Sequence, residues 1–150
     1  MPRRRIERIR SILIDTAVSD SAETFTLHTA EDAKTLIRAW ADISISPIDT
    51  AMATTVLYGG FLGVAPQGQN VASALVSQGL DSNTGLNEIG RWYADAMQND
   101  TNGIVITDKI QFDTKAQRKL KAGDTVTWSH IASTANDLRA RGVIYLWFKE

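Results

Sequence analysis

At 150 residues, 43% apolar and 22% charged, the chain has the size and composition of one soluble globular domain. It contains no cysteine, which excludes disulfide staples and thiolate metal sites. The net charge of −1 hides an asymmetry, because Arg3, Arg4, Arg5, Arg8 and Arg10 against Glu7 give the first ten residues +4 and leave about −5 for the rest. This argues against a polyanion-binding surface spread over the whole domain and for a short basic arm, residues 1–10, ahead of a mildly acidic body, residues 11–150. The opening residues lack the apolar core of a secretory signal, and no run reaches the ~18 apolar residues that span a bilayer. The expected setting is a reducing compartment with no membrane partner.

Along the chain, short strand-like runs alternate with polar turns. Ser11–Val18 places Ile12, Ile14 and Val18 on one face, and Glu23–His28 repeats the alternation with Phe25 and Leu27. Ser19-Asp-Ser between them suits a hairpin turn. In Thr35–Ile45, Ile37, Ala39, Ala41, Ile43 and Ile45 share one face, and Arg38, Trp40, Asp42 and Ser44 the other. Ser46-Pro47 stops this run, since proline cannot donate to a ladder. Thr54–Val64 is apolar on both faces, and its Gly59-Gly60 pair suggests a bulge or a close backbone approach.

Ala65–Gly90 reads as a long connection with one apolar run at Val71–Val76, and Leu86–Met97 fits either a strand or a helix. Ile104–Phe112 puts Ile104, Ile106, Ile110 and Phe112 on one face. The charged stretch Lys115–Lys121 ends in Gly123-Asp124, a turn signal. Thr125–Ile131 and Gly142–Lys149 complete the set, the last apolar on both faces, as for a strand in the middle of a structure or at an interface. Eight or nine strands without a long amphipathic helix imply an all-β sandwich or barrel.

Residues that could carry catalysis are sparse. The two histidines, His28 and His130, lie beside a turn and in a strand, the sequence has no Gly-x-Ser-x-Gly nucleophile elbow, and both read as structural or surface residues. Asp81–Glu88 offers oxygen ligands, but its glycine falls one place early for an EF-hand calcium loop and Glu88 closes it too soon, so a solvated loop is the expectation. No metal, cofactor or enzymatic activity is expected. The basic cluster Lys115, Arg118, Lys119 and Lys121 reads as a solvated turn. The arm arginines, Arg3, Arg4, Arg5, Arg8 and Arg10, are the candidate nucleic-acid contacts, because guanidinium groups bind phosphate with paired donors.

Phe112-Asp-Thr-Lys-Ala-Gln-Arg-Lys-Leu-Lys-Ala-Gly-Asp-Thr-Val, followed by a strand and then Arg141-Gly-Val-Ile-Tyr-Leu-Trp-Phe-Lys-Glu150, resembles capsid proteins of small circular single-stranded DNA viruses. Leu27–Arg38 and the opening Met-Pro-Arg-Arg-Arg are similar too, so the likeness covers about half the chain. It implies an eight-stranded jelly roll of two antiparallel sheets, assembling with copies of itself, sixty in the simplest shell, around single-stranded nucleic acid in a virion. The arm here is shorter than such proteins usually carry. Sixty arms would supply about 300 arginine charges, which leaves most of the charge of a kilobase genome unmatched.

Two apolar-on-both-faces strands, Thr54–Val64 and Val143–Phe148, add an expectation of surplus apolar surface for an interface. The competing reading is a jelly-roll binding module, carbohydrate-binding or trimeric and cytokine-like, using exposed aromatics such as Trp40 and Trp92. A cupin-type enzyme would need more histidines than two.

Overall fold

The computed structural model describes residues 5–21, 23–48, 57–65, 88–94, 106–112, 118–133 and 138–150, and every regular element among them is a strand. In chain order these are β1 (Ile6–Ala17), β2 (Glu23–Thr29), β3 (Lys34–Pro47), β4 (Tyr58–Ala65), β5 (Glu88–Ala94), β6 (Ile106–Phe112), β7 (Arg118–Leu120), β8 (Thr125–Ala132) and β9 (Leu138–Lys149). They form two antiparallel sheets. The larger runs β1-β9-β3-β6 with the short β7 also on β3, and the smaller runs β2-β8-β4-β5.

Setting β7 aside leaves eight strands with a nested pairing: first with last, second with seventh, third with sixth, fourth with fifth. A chain doubled back as one long antiparallel ribbon, turning between β4 and β5, pairs in this way. Rolling that ribbon until β3 meets β9 and β4 meets β8 gives the observed order. The fold is therefore the expected jelly-roll sandwich.

Strand periodicity explains most of the burial. Ala39, Ala41, Ile43 and Ile45 of β3 and Ile144, Leu146 and Phe148 of β9 are fully buried, and side chains between them face outward. A register shift between Leu36 and Arg38 corrects one assignment. Leu36, not Ile37, enters the core, because the bulged residue steps the alternation by one. The two sheets meet through Phe112 against Trp128, ring centroids 5.9 Å apart, and His28 against Phe148, 4.9 Å apart.

Gly59-Gly60 resolves as a close approach. The β4–β8 register runs unbroken through both glycines. A β-carbon on Gly60 would sit 2.1 Å from Trp128 Cζ2, inside the buried indole. Gly123 has φ 92°, the left-handed turn its position requires, and its N–H donates to Ala30 O while Ala30 N–H donates to Asp124 O. Thus the turn before β8 is stitched to the turn after β2.

Several expectations need correction. The first strand begins at Ile6 and not Ser11, so half of the expected arm is ladder, with Ile6 to Leu13 paired residue by residue to Lys149 to Gly142. Ser19-Asp-Ser is no hairpin: β1 and β2 lie in different sheets, and the segment crosses between them with Ser19 O accepting from Ala132 N–H. Arg118 and Lys119 lie in β7, not in a turn. Among the described residues the expected apolar surplus is also largely absent, because every residue of β4 is buried, Phe61, Ala65 and Ile131 forming a second cluster. Among the described residues only Ile6 and Ile48 are exposed large hydrophobes. The side chains of Ile12 and Ile14, the run Val71–Val76, and Asp81–Asn87 fall outside the described residues.

Candidate functional site

His130 is buried in β8 and His28 is partly buried in β2. Trp128 Nε1–H donates to Tyr58 Oη (3.3 Å), so the Tyr58 hydroxyl is free to donate onward to His130 Nδ1 (3.0 Å). Neutral His130 then carries its proton on Nε2, which is buried without a partner among the described residues. Burial pushes the His130 pKa down from 6.5 to about 4 and raises that of Tyr58. Between those two pH values the unfolded chain binds a proton the native one refuses. Stability from this group is therefore complete above about pH 6.5 and lost as pH falls to about 4, by about 3 kcal/mol. Denaturant unfolding of wild type and His130→Gln across this range should give a flatter curve for the variant. Parallel curves would assign the acid sensitivity elsewhere.

His28 belongs to a second cluster at the start of β3. Lys34, buried, donates to Glu7 Oε2 at 3.0 Å, lies 3.5 Å from His28 Nε2, and sits over the Phe148 ring. The hydrogen bond from Lys34 holds the Glu7 carboxyl below its usual range, and burial, then Lys34, lowers the His28 pKa. This cluster ties β1, β2, β3 and β9 together through a residue of the presumed arm.

The five arginines expected to contact nucleic acid separate. Arg3 and Arg4 lie outside the described residues, and Arg5 is exposed just ahead of β1. Arg10 lies in β1 opposite Tyr145, and Arg8 opposite Trp147. The Arg8 guanidinium lies over the Trp147 ring, 4.7 Å from its centroid.

That contact belongs to a larger arrangement on the outward face of the larger sheet. The β3–β9 register sets Trp40 opposite Tyr145 and Arg38 opposite Trp147. Trp40 and Tyr145 stack at 5.1 Å with an interplanar angle of 13°, and Trp147 meets Trp40 edge-on at 5.2 Å. Arg38 lies 5.0 Å from both indoles. Rings on neighbouring strands stack in this way because directly opposite residues share a face. On the other side of Trp40, β6 brings Gln111 opposite it and Lys109 opposite Asp42. A cleft of about 210 Å³ is lined by Arg38 and Trp40 of β3 and Lys109, Ile110 and Gln111 of β6.

The same face carries Arg139, Arg141 and Lys149 of β9, all exposed, and Lys119 of β7 opposite Thr35. Asp42 is its one carboxylate among the described side chains, so the face is strongly cationic on a chain of net charge −1. Sequence reading missed this surface. Arg38 and Trp40 were legible as one face of β3, but nothing local told that Tyr145 and Trp147 would lie beside them.

No family model matches the sequence, and no curated protein matches it. Among solved structures, the empty head of turnip yellow mosaic virus aligns with a TM-score of 0.51 at 12% identity, over 100% of this chain and 82% of that chain. Desmodium yellow mottle tymovirus aligns at 0.43 and 13% identity, over 100% of this chain and 91% of that chain. An aminopeptidase from a marine sediment Thaumarchaeota archaeon aligns at 0.48 and 5% identity, over 99% of this chain but 34% of that one. At these identities a likeness speaks to fold and to nothing finer. What this chain shares with the turnip yellow mosaic virus head is the jelly roll itself.

Proposed function

We propose that this chain is a viral coat protein that assembles with copies of itself into a closed icosahedral shell enclosing nucleic acid, and that it performs no catalysis. The observation that carries the reading is the nested strand order, which spans the whole chain and aligns over its full length with the turnip yellow mosaic virus head. The sequence likeness to capsid proteins of small circular single-stranded DNA viruses supports a virion setting, a sixty-copy shell, synthesis in the host cytoplasm or nucleus, and single-stranded cargo. Arg3, Arg4 and Arg5, ahead of the first strand, are assigned to that cargo. Arg8 and Arg10 belong to the ladder as well as to the charge.

Purified protein should give uniform round particles by negative-stain microscopy and elute far ahead of a monomer. A monomer or trimer across a range of salt and pH would favour the jelly-roll binding module instead. Replacing Arg3, Arg4 and Arg5 with serine should leave particles intact, since all three precede β1, and lower their nucleic-acid absorbance relative to protein. Unchanged nucleic-acid content would remove the arm from packaging.

A further inference from the structure

We propose that the outward face of the larger sheet binds single-stranded nucleic acid, a base entering the cleft beside Trp40 while Arg38 and Lys109 hold its phosphates. The proposal deepens the packaging part of the reading above, and it does not require that a shell forms.

Three observations converge on it. First, the cleft continues an existing stack. Tyr145 stacks on Trp40 and the Arg38 guanidinium lies over the same ring, 5.0 Å from its centroid, so a planar group that takes the place of Arg38 over the indole, from the cleft these residues line with β6, would be the third ring of a series. Base–aromatic stacking tolerates any sequence, because every base has a π-face. Second, the size is suited to one ring system. A volume of about 210 Å³ falls below the ~300 Å³ at which pockets begin to enclose drug-sized ligands, and Gln111 supplies a donor and an acceptor at the wall.

Third, the charge is complementary to a polyanion. Among the described residues, Arg8, Arg38 and Lys109 have no ion-pair partner, and the two guanidiniums rest on indoles with their N–H edges unspent on carboxylates. A second copy of this chain is the other conceivable occupant. Its body is acidic overall, yet among the described side chains of this face Ile6 is the one exposed large aliphatic residue, and the aromatics are partly covered by arginine.

The test uses full-length protein and oligothymidylate substituted with 5-iododeoxyuridine. Irradiation should attach the probe to peptides containing Trp40. Affinity measured against salt should weaken about tenfold or more for Trp40→Leu, the loss expected for one stacked base. For Arg38→Gln with Lys109→Gln, both exposed and so tolerated by the fold, the slope of log affinity on log salt should become shallower by about 1.4, or ~0.7 per charge on a single strand. Arg3, Arg4 and Arg5→Ser should change the slope and leave the Trp40 cross-link in place.

Cross-links confined to residues 1–10, or affinity indifferent to the Trp40 and Arg38/Lys109 changes in variants that melt like wild type, would overturn the proposal. So would protection of Trp40 from acrylamide quenching on assembly without nucleic acid, which would give the face to a second copy. Particles with no oligonucleotide at Trp40 would end this proposal and leave the shell reading standing. Oligonucleotide binding by a protein that never forms particles would do the reverse.

Discussion

A chain ending at Gly142 should not fold. The eight residues removed include Ile144, Leu146 and Phe148, all fully buried, each worth roughly 1.5–3 kcal/mol of transfer free energy. They also form most of the ladder that joins β1 to β3, since β9 lies between them and pairs with both. Lost burial and lost pairing together match the whole stability of an ordinary domain, about 5–15 kcal/mol. The expected product is aggregated or unfolded, with no cooperative transition by circular dichroism. A soluble truncation product with a sharp melt would show that β9 serves assembly only, and would contradict the core described above.

The second large effect lies at one atom's distance from a buried ring. Gly60→Ala places its β-carbon 2.1 Å from Trp128 Cζ2 and 2.5 Å from Cη2. The indole has little room to retreat, because it is fully buried, hydrogen-bonded through Nε1 to Tyr58, and packed edge-on with Phe112. Overpacking of this kind costs about 3 kcal/mol, which lowers Tm by ~10 °C in a domain of this length. Trp128→Leu should destabilise alone by leaving a cavity, yet the double variant should be more stable than the sum of the two. Strict additivity would mean that the backbone, not the ring, absorbs the methyl group.

Much of the architecture was legible because alternation reports a half-buried strand wherever it runs undisturbed. Ala39–Ile45 and Ile144–Phe148 show this, the second with both the core face and the aromatic outward face readable in advance. The start of β1 was not legible. Its outward Arg8 and its Glu7, which pairs with Lys34 twenty-seven residues away, look like tail charges until the partner strand is known. Ile37 was misassigned because a bulge leaves no local mark. The supposed hairpin at Ser19-Asp-Ser failed for a deeper reason: turn chemistry says that the chain turns, not which sheet it enters next.

The aromatic–arginine face shows the same limit at the level of function. Arg38 with Trp40, and Tyr145 with Trp147, each obey strand periodicity and were visible as pairs. Only the β3–β9 register brings them together, and only the β6 register opens a cleft beside them. The arm was singled out because its charge is contiguous in sequence. The face escaped notice because its charge is contiguous only in space.

The central claim, that this jelly roll is a shell subunit, is tested most directly by the mass of the assembled species. Charge-detection mass spectrometry of particles from expressing cells should find a narrow population near sixty copies of a 16.5 kDa chain, about 1 MDa of protein, with additional mass from nucleic acid. A protein that stays at 16.5 kDa or stops at a trimer under all conditions would contradict it.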